Sequence, residues 1–147
     1  MKNNSALFYT CSLIEYIGRR QKLRRSAVVQ SLGQKVIRRI YRYADVFHCE
    51  PIETTADDFI SNCDVPTGEF DNVSACRYTV PDYWTIGEVY ERLIEDISGD
   101  DEASVVDHLM EVYTSWINDV ISNYNTDFYY QSRDYIYECY KEGQICA

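Results

Sequence analysis

The chain has 147 residues, of which 46% are hydrophobic and 26% are charged, and it carries a formal net charge of −10 at neutral pH. A chain of this length buries a core of its own, since domains of roughly 100 to 150 residues are common. No run of about 18 apolar residues occurs, and no apolar stretch follows a basic start. We therefore expect no membrane span, no signal peptide and a cytoplasmic location.

Helical periodicity dominates the first 62 residues. Apolar side chains recur every three or four positions, which predicts amphipathic helices. The predicted helices cover residues 5–18, 27–32, 34–48 and 51–62. We expect Gly18 to end the first helix, Ser26 to cap the start of the second, and Gly33 to follow its last turn.

The periodicity stops between residues 63 and 82. Pro66, Gly68 and Pro81 punctuate this segment, which indicates irregular structure. Residues 75–80 are predicted to form one short extended stretch.

A second helical region begins near Thr85. Thr85 and Glu88 match a T-x-x-E capping box, which predicts a helix over 86–97. The acids at 100–102 favour the start of a further helix that carries apolar residues as far as Val120. A last helix is predicted over 126–142 and ends at Gly143.

These elements predict a mainly α fold, a bundle of about six to seven helices. Because residues 63–82 lack a helical period, this segment is the predicted boundary between two small lobes. The predicted units are a basic helical lobe (1–62), a linker (63–82) and an acidic, tyrosine-rich helical lobe (83–147).

The chain contains six cysteines but no C-x-x-C motif. A structural zinc site would therefore have to combine scattered residues such as His48, Cys49, Cys63 and Cys76. We expect reduced cysteines, most of them buried, and neither a metal nor a cofactor.

Positive charge is concentrated at the start of the chain. Residues 1–44 contain ten Lys or Arg against one acid, whereas residues 45–147 contain four against twenty-three acids. A helix, a glycine turn and a second helix within a basic segment favour nucleic-acid binding. The candidate residues are Arg19, Arg20, Lys22, Arg24, Arg25, Lys35, Arg38, Arg39 and Arg42. The alternative is that these bases pair with the acidic half of the same chain or of a neighbouring subunit.

The acidic remainder and its tyrosines favour protein binding. A net charge of −19 over residues 45–147 exceeds the magnitude of roughly 2 to 8 that keeps a small domain soluble. We therefore expect a basic protein partner. The candidate acids are Asp96, Asp100, Asp101, Glu102, Asp107 and Glu111. The candidate anchors are Trp116, Tyr129, Tyr130 and Tyr137, because aromatic residues are favoured in interfaces.

Arg42 and His48 resemble the R-x(4-6)-H motif of HEPN-type RNases. This resemblance implies an all-α dimer in which Arg stabilises the charged phosphate and His acts as acid or base. The alternative is that His48 ends a helix and meets its last carbonyl groups.

Residues 40–48, followed by Ile52–Glu53 and by 56–60, resemble a family of short uncharacterised bacterial proteins. Its members are often encoded beside toxins of the ADP-ribosyltransferase type. The resemblance covers residues 7–62 and implies a partner-binding role, such as that of an antitoxin.

The leading hypothesis from the sequence is a non-enzymatic interaction protein that binds and inhibits a macromolecular partner. The first alternative is a DNA-binding transcriptional regulator that uses residues 19–42. The second is a HEPN-like RNase that uses Arg42 and His48. The opposite charges of the two halves also allow a homodimer.

Overall fold

The computed structural model describes residues 4–147, which form a mainly α fold as predicted. The nine α helices are α1 (Ser5–Gln21), α2 (Arg25–Leu32), α3 (Gln34–Arg42), α4 (Ala44–Phe47), α5 (Ile52–Asn62), α6 (Tyr83–Ser98), α7 (Val105–Tyr113), α8 (Trp116–Ile121) and α9 (Arg133–Glu142). Single 3-10 turns at Glu102–Ser104 and Phe128–Tyr130 precede α7 and α9. The described residues contain no strand, so the extended stretch predicted over 75–80 was wrong.

The helix count exceeds the prediction because two predicted helices are interrupted. The helix expected over 34–48 breaks at Tyr43, whose φ of −111° and ψ of 24° leave helical geometry, and α4 follows. The helix expected as far as Val120 ends at Tyr113. Ser115 then caps α8, because its side chain accepts a hydrogen bond from the backbone N–H of Ile117.

Helices α1 and α6 form the centre of the molecule and pack along each other. Gly87 of α6 faces Ser12 of α1, and a Cβ at this position would collide with the Ser12 side chain and backbone. The glycine therefore lets the two helices approach closely. Helices α2, α3, α5, α7 and α9 pack around this central pair.

One hydrophobic core extends across the predicted lobe boundary. Leu7 and Ile14 of α1 belong to the same buried cluster as Tyr90 and Ile94 of α6 and Leu109 of α7. The segment 63–82 therefore does not separate two cores. The isolated amphipathic patterns of α1 and α6 could not reveal that their apolar faces meet each other.

The irregular segment 63–82 is tied to both halves of the chain. The backbone N–H of Gly68 donates to the carbonyl of Gln21 at 2.8 Å. Asn72 is buried, and its side chain donates to the carbonyl of Ser122 at 3.0 Å. These hydrogen bonds hold the segment against the helices instead of leaving it as a free linker.

Several further predicted helix ends were wrong. The last helix, expected from residue 126, begins only at Arg133. Helix α1 continues past Gly18 to Gln21 and ends where Lys22 adopts a left-handed conformation with a φ of 55°. Helix α2 already begins at Arg25, so Ser26 is not its cap. Helix α6 begins one turn before the predicted capping box, because the Asp82 side chain accepts from the N–H of Thr85 at 2.7 Å. The predicted end at Gly143 is confirmed, with a φ of 76°.

Candidate functional site

Arg25, a candidate for nucleic-acid binding, lies in the core. Its side chain is fully buried, and its Nε donates to Glu15 Oε1 at 3.1 Å. A guanidinium enclosed in this way does not reach a phosphate outside the molecule. The nucleic-acid assignment of Arg25 was therefore wrong, because a buried carboxylate on α1 compensates its charge.

The other bases of the 19–25 stretch also contact the chain itself. Arg19 donates to the carbonyl of Pro81 and to the Tyr124 hydroxyl, and its guanidinium lies over the Tyr124 ring. Ion pairs link further bases to acids of the more acidic part of the chain: Arg20 to Asp57, Lys22 to Asp71, Arg24 to Asp119 and Arg38 to Asp107. These bases therefore pair with acids of the same chain, which was the alternative to nucleic-acid binding.

Three further bases form a row on α3, which we call the cation strip: Lys35, Arg39 and Arg42. Their spacing of four and three residues places them on one helix face. All three are exposed, and none has an ion-pair partner among the described acids. Arg39 lies over the Phe59 ring at 5.6 Å. The strip is thus a local excess of positive charge on an acidic protein.

Arg42 also lines a cavity of about 460 Å³, which we call the aromatic cavity. Its aromatic wall consists of Phe8, Tyr9, Tyr41 and Trp84. The cavity is lined by the start of α1, the end of α3, helix α4 and the start of α6. A concave site that combines aromatic and other apolar side chains with a small number of polar groups is typical of ligand binding.

The aromatic wall is held in place by contacts between its members and their neighbours. The ring centroids of Phe8 and Trp84 lie 5.5 Å apart, and those of Trp84 and Tyr83 lie 5.0 Å apart. The Tyr41 hydroxyl accepts from the Asn4 amide at 2.7 Å and donates to Glu102 at 2.8 Å. Burial, together with the acceptor Glu102, raises the pKa of Tyr41 to about 12, so Tyr41 stays neutral.

The structure brings Arg42 and His48 together on the wall of the aromatic cavity, where Asp45 also lies. His48 is exposed and follows α4 directly. Its backbone N–H donates to the carbonyl of Ala44. The two residues of the R-x(4-6)-H resemblance therefore share one cavity, although a break at Tyr43 separates their helices.

The candidate acids for partner binding are partly engaged inside the molecule. Asp96 pairs with Arg133 at 3.0 Å, and Asp107 pairs with Arg38. Glu102 accepts from Tyr41, and Asp101 accepts from the Ser104 hydroxyl at 2.6 Å. Asp100 and Glu111 are exposed.

The four candidate anchors differ in exposure. Tyr130 is 67% exposed, whereas Trp116, Tyr129 and Tyr137 are half-buried and pack against the core. Tyr129 lies edge-on between Tyr124 and Tyr130, with centroids at 5.8 and 5.0 Å. Tyr129 and Tyr130 together line a second cavity of about 220 Å³, which we call the tyrosine cavity.

Phe8 and Trp84 were not recognised as site residues in the sequence. Phe8 matches the apolar stripe of α1, and Trp84 lies outside the helix that was predicted to begin at Ile86. No sequence signal distinguished these aromatic side chains from core residues. Their position at one cavity depends on the packing of α1 against α6.

No helix within 4–147 has the length and apolar character needed to cross a membrane. The six cysteines are free, and the described His, Cys, Asp and Glu side chains form no group of three that could hold a metal ion. Comparison of the chain with models of protein families, with curated proteins and with solved structures finds no match.

Proposed function

We propose that this protein is a non-enzymatic interaction protein that binds and restrains a macromolecular partner with a basic surface. The single observation that carries the proposal is the position of Tyr130. This side chain is 67% exposed beside the tyrosine cavity, on a chain whose net charge is −10. Tyrosine is favoured in interfaces because it contributes a large contact area and a hydroxyl at low entropic cost.

The distribution of ion pairs supports a basic partner. Within residues 4–147, eight of the thirteen bases are paired with acids of the same chain. Because the acids outnumber the bases by ten, this pairing leaves an acidic surface. Such a surface attracts a basic partner over long range and accelerates association at low salt.

The tyrosine cavity supplies the short-range part of the proposed contact. Its wall includes the apolar side chains of Val89, Leu93 and Ile136 and the half-buried Tyr129. An apolar side chain of the partner would enter this cavity while Tyr130 covers it. A partner held in this way would be restrained without any chemical change, as an antitoxin restrains a toxin. The resemblance of residues 7–62 points to the same role.

The test is capture of a protein partner by the tagged chain from its native cells after nuclease treatment. Tyr78 offers a matched control, since it is also a tyrosine and is also 67% exposed. We expect one stoichiometric protein to be retained by the wild type and by Tyr78→Ala, and to be lost with Tyr130→Ala and at high salt. Equal retention by both variants, or no stoichiometric protein, would contradict the proposal.

A second candidate function is ribonuclease activity. The observation that favours it is the shared position of Arg42 and His48 on the aromatic cavity. Incubation of the purified protein with single-stranded and structured RNA tests it. Cleavage that is lost in His48→Ala would replace the non-enzymatic proposal, whereas cleavage that persists in this variant would come from a contaminant.

A further inference from the structure

The aromatic cavity combines flat apolar surfaces with positive charge. Trp84 is 36% exposed and lies against Phe8, so part of its ring remains open. Nucleobases stack on aromatic rings of this kind. Asp45 on the same wall is able to accept a hydrogen bond from an exocyclic amino group of a base. This part of the cavity therefore offers a stacking surface and a hydrogen-bond acceptor that suit a nucleobase.

The rest of the wall matches the chemistry of a phosphate. Ser5 and Ala6, the first residues of the 17-residue helix α1, line the cavity. The N-terminus of a long helix carries partial positive charge and favours anions. The first turn of α1 contains no acid of its own, although the Glu95 carboxylate accepts from the N–H of Asn4, just before this turn, at 2.7 Å. Arg42 adds a full positive charge with several donors, a geometry that suits phosphate oxygens.

From these features we propose that the aromatic cavity binds one nucleotide, with its base against Trp84 and Phe8 and its phosphate between Arg42 and the start of α1. The cavity volume of about 460 Å³ lies within the range of small-ligand sites, roughly 300 to 1,000 Å³. This site is separate from the tyrosine cavity and goes beyond the proposed partner binding.

The cation strip indicates the source of the nucleotide. From Arg42 at the cavity, the strip extends to Lys35, roughly 10 Å along α3. A basic track that leads away from an aromatic pocket is the arrangement of single-strand binding sites. The cavity therefore takes one nucleotide of a single strand, and the strip contacts its neighbouring phosphates. The net charge of −10 opposes extended contact with a duplex.

Intrinsic fluorescence tests the site directly, since the chain contains only two tryptophans. In Trp116→Phe, Trp84 is the only tryptophan and reports on the cavity. The probes are adenosine monophosphate, adenosine, inorganic phosphate, single-stranded DNA of about ten nucleotides, and a glutamate-rich peptide. A ribonuclease does not cleave the DNA probe. In the matching variant Trp84→Phe, the remaining tryptophan lies outside the cavity and serves as the control.

We expect saturable quenching of Trp84 by the nucleotide, and affinities at least about tenfold weaker for adenosine or phosphate alone, since each supplies half of the contacts. The DNA should bind more tightly than the nucleotide and lose affinity as salt rises. Arg42→Gln should weaken both ligands, whereas Lys35→Gln with Arg39→Gln should weaken only the DNA. Arg77→Gln, an exposed base on the irregular segment, should change neither affinity.

Four outcomes would overturn all or part of the inference. The absence of saturable quenching by both the nucleotide and the DNA would remove the site. Unchanged nucleotide affinity in folded Arg42→Gln would remove the assigned phosphate contact. Equal binding of the glutamate-rich peptide would show a site for acidic proteins instead. A DNA affinity no higher than that of the nucleotide would overturn the role of the cation strip. None of these results depends on Tyr130, so they are distinguishable from a failure of the proposed partner binding.

Discussion

Arg25 Nε lies 3.1 Å from Glu15 Oε1, and both side chains are enclosed in the core. Arg25 Nη1 also donates to the carbonyl of Leu23 at 2.8 Å, and the Tyr113 hydroxyl donates to Glu15 at 3.3 Å. The pair thus joins α1, α2 and α7. Burial raises the pKa of Glu15, and the charge of Arg25 counteracts this rise.

Removal of one partner from this pair should destabilise the protein strongly. We expect Arg25→Ala to lower the free energy of unfolding by about 3 to 5 kcal/mol, because it leaves a buried carboxylate without its cation. Denaturant unfolding followed by circular dichroism measures this change. The matched control is Arg20→Ala, whose partner Asp57 is exposed, with an expected cost of at most about 1 kcal/mol.

The double variant Glu15→Leu with Arg25→Met separates the cost of an unpaired charge from the cost of lost packing. Replacement of both charges by apolar side chains should be less destabilising than Arg25→Ala alone. A double variant as unstable as the single one would show that packing, and not the unpaired carboxylate, dominates.

Gly18→Ala should be destabilising although alanine is the better helix former. A Cβ at Gly18 would collide with the side chain of Arg25 where it crosses α1. We expect a loss of about 1 to 3 kcal/mol, typical of overpacking, in place of the gain of about 1 kcal/mol at an open helix position. In the Arg25→Ala background the same change should become neutral or stabilising. A stabilising effect in the wild type would contradict the observed packing.

The free energy of unfolding should decrease as pH rises from about 4.5 to about 8. Burial and a hydrogen bond with Glu95 raise the pKa of Glu91 from 4.5 to about 8. The folded state therefore holds a proton that the unfolded state releases at lower pH, and this stabilisation is lost as pH rises through the folded pKa. Denaturant unfolding at a series of pH values measures the slope.

Glu91→Gln is the control for this pH dependence, because an amide does not titrate. We compare how the free energy of unfolding changes with pH in the two proteins. Between about pH 4.5 and about pH 8, this free energy should fall more steeply in the wild type than in Glu91→Gln. Glu95 acts in a different window. Burial favours its neutral form, but hydrogen bonds from Glu91, the N–H of Asn4 and Arg133 lower its pKa. Its contribution is therefore lost as pH falls below 4.5. If the free energy of unfolding has the same pH dependence in the wild type and in Glu91→Gln, Glu91 is not protonated in the folded state.

Asp82→Ala should destabilise α6 more than Thr85→Ala does. The Asp82 carboxylate accepts from the N–H of Thr85 at 2.7 Å, and this hydrogen bond lowers the pKa of Asp82. Loss of an N-cap costs about 1 kcal/mol. A larger loss in Thr85→Ala, measured by denaturant unfolding, would instead favour the capping box predicted from the sequence.

The local features of the fold follow from local sequence patterns. The helical character of the chain, the irregular segment 63–82 and the end of α9 at Gly143 were predicted from periodicity, proline and glycine. The breaks at Tyr43 and Thr114 were not predicted, because the apolar periodicity continues across both. Periodicity reports which side chains face a core, but not whether the backbone stays helical between them.

By itself the sequence determined that the chain is helical, acidic and divided into a basic and an acidic part. Only the tertiary structure decided which bases are available. Arg24 and Arg25 are neighbours, yet Arg24 is exposed beside Asp119 and Arg25 is buried beside Glu15. The aromatic cavity likewise depends on the packing of α1, α3 and α6. Contacts between distant residues come from the packing of whole helix faces, which no local pattern encodes.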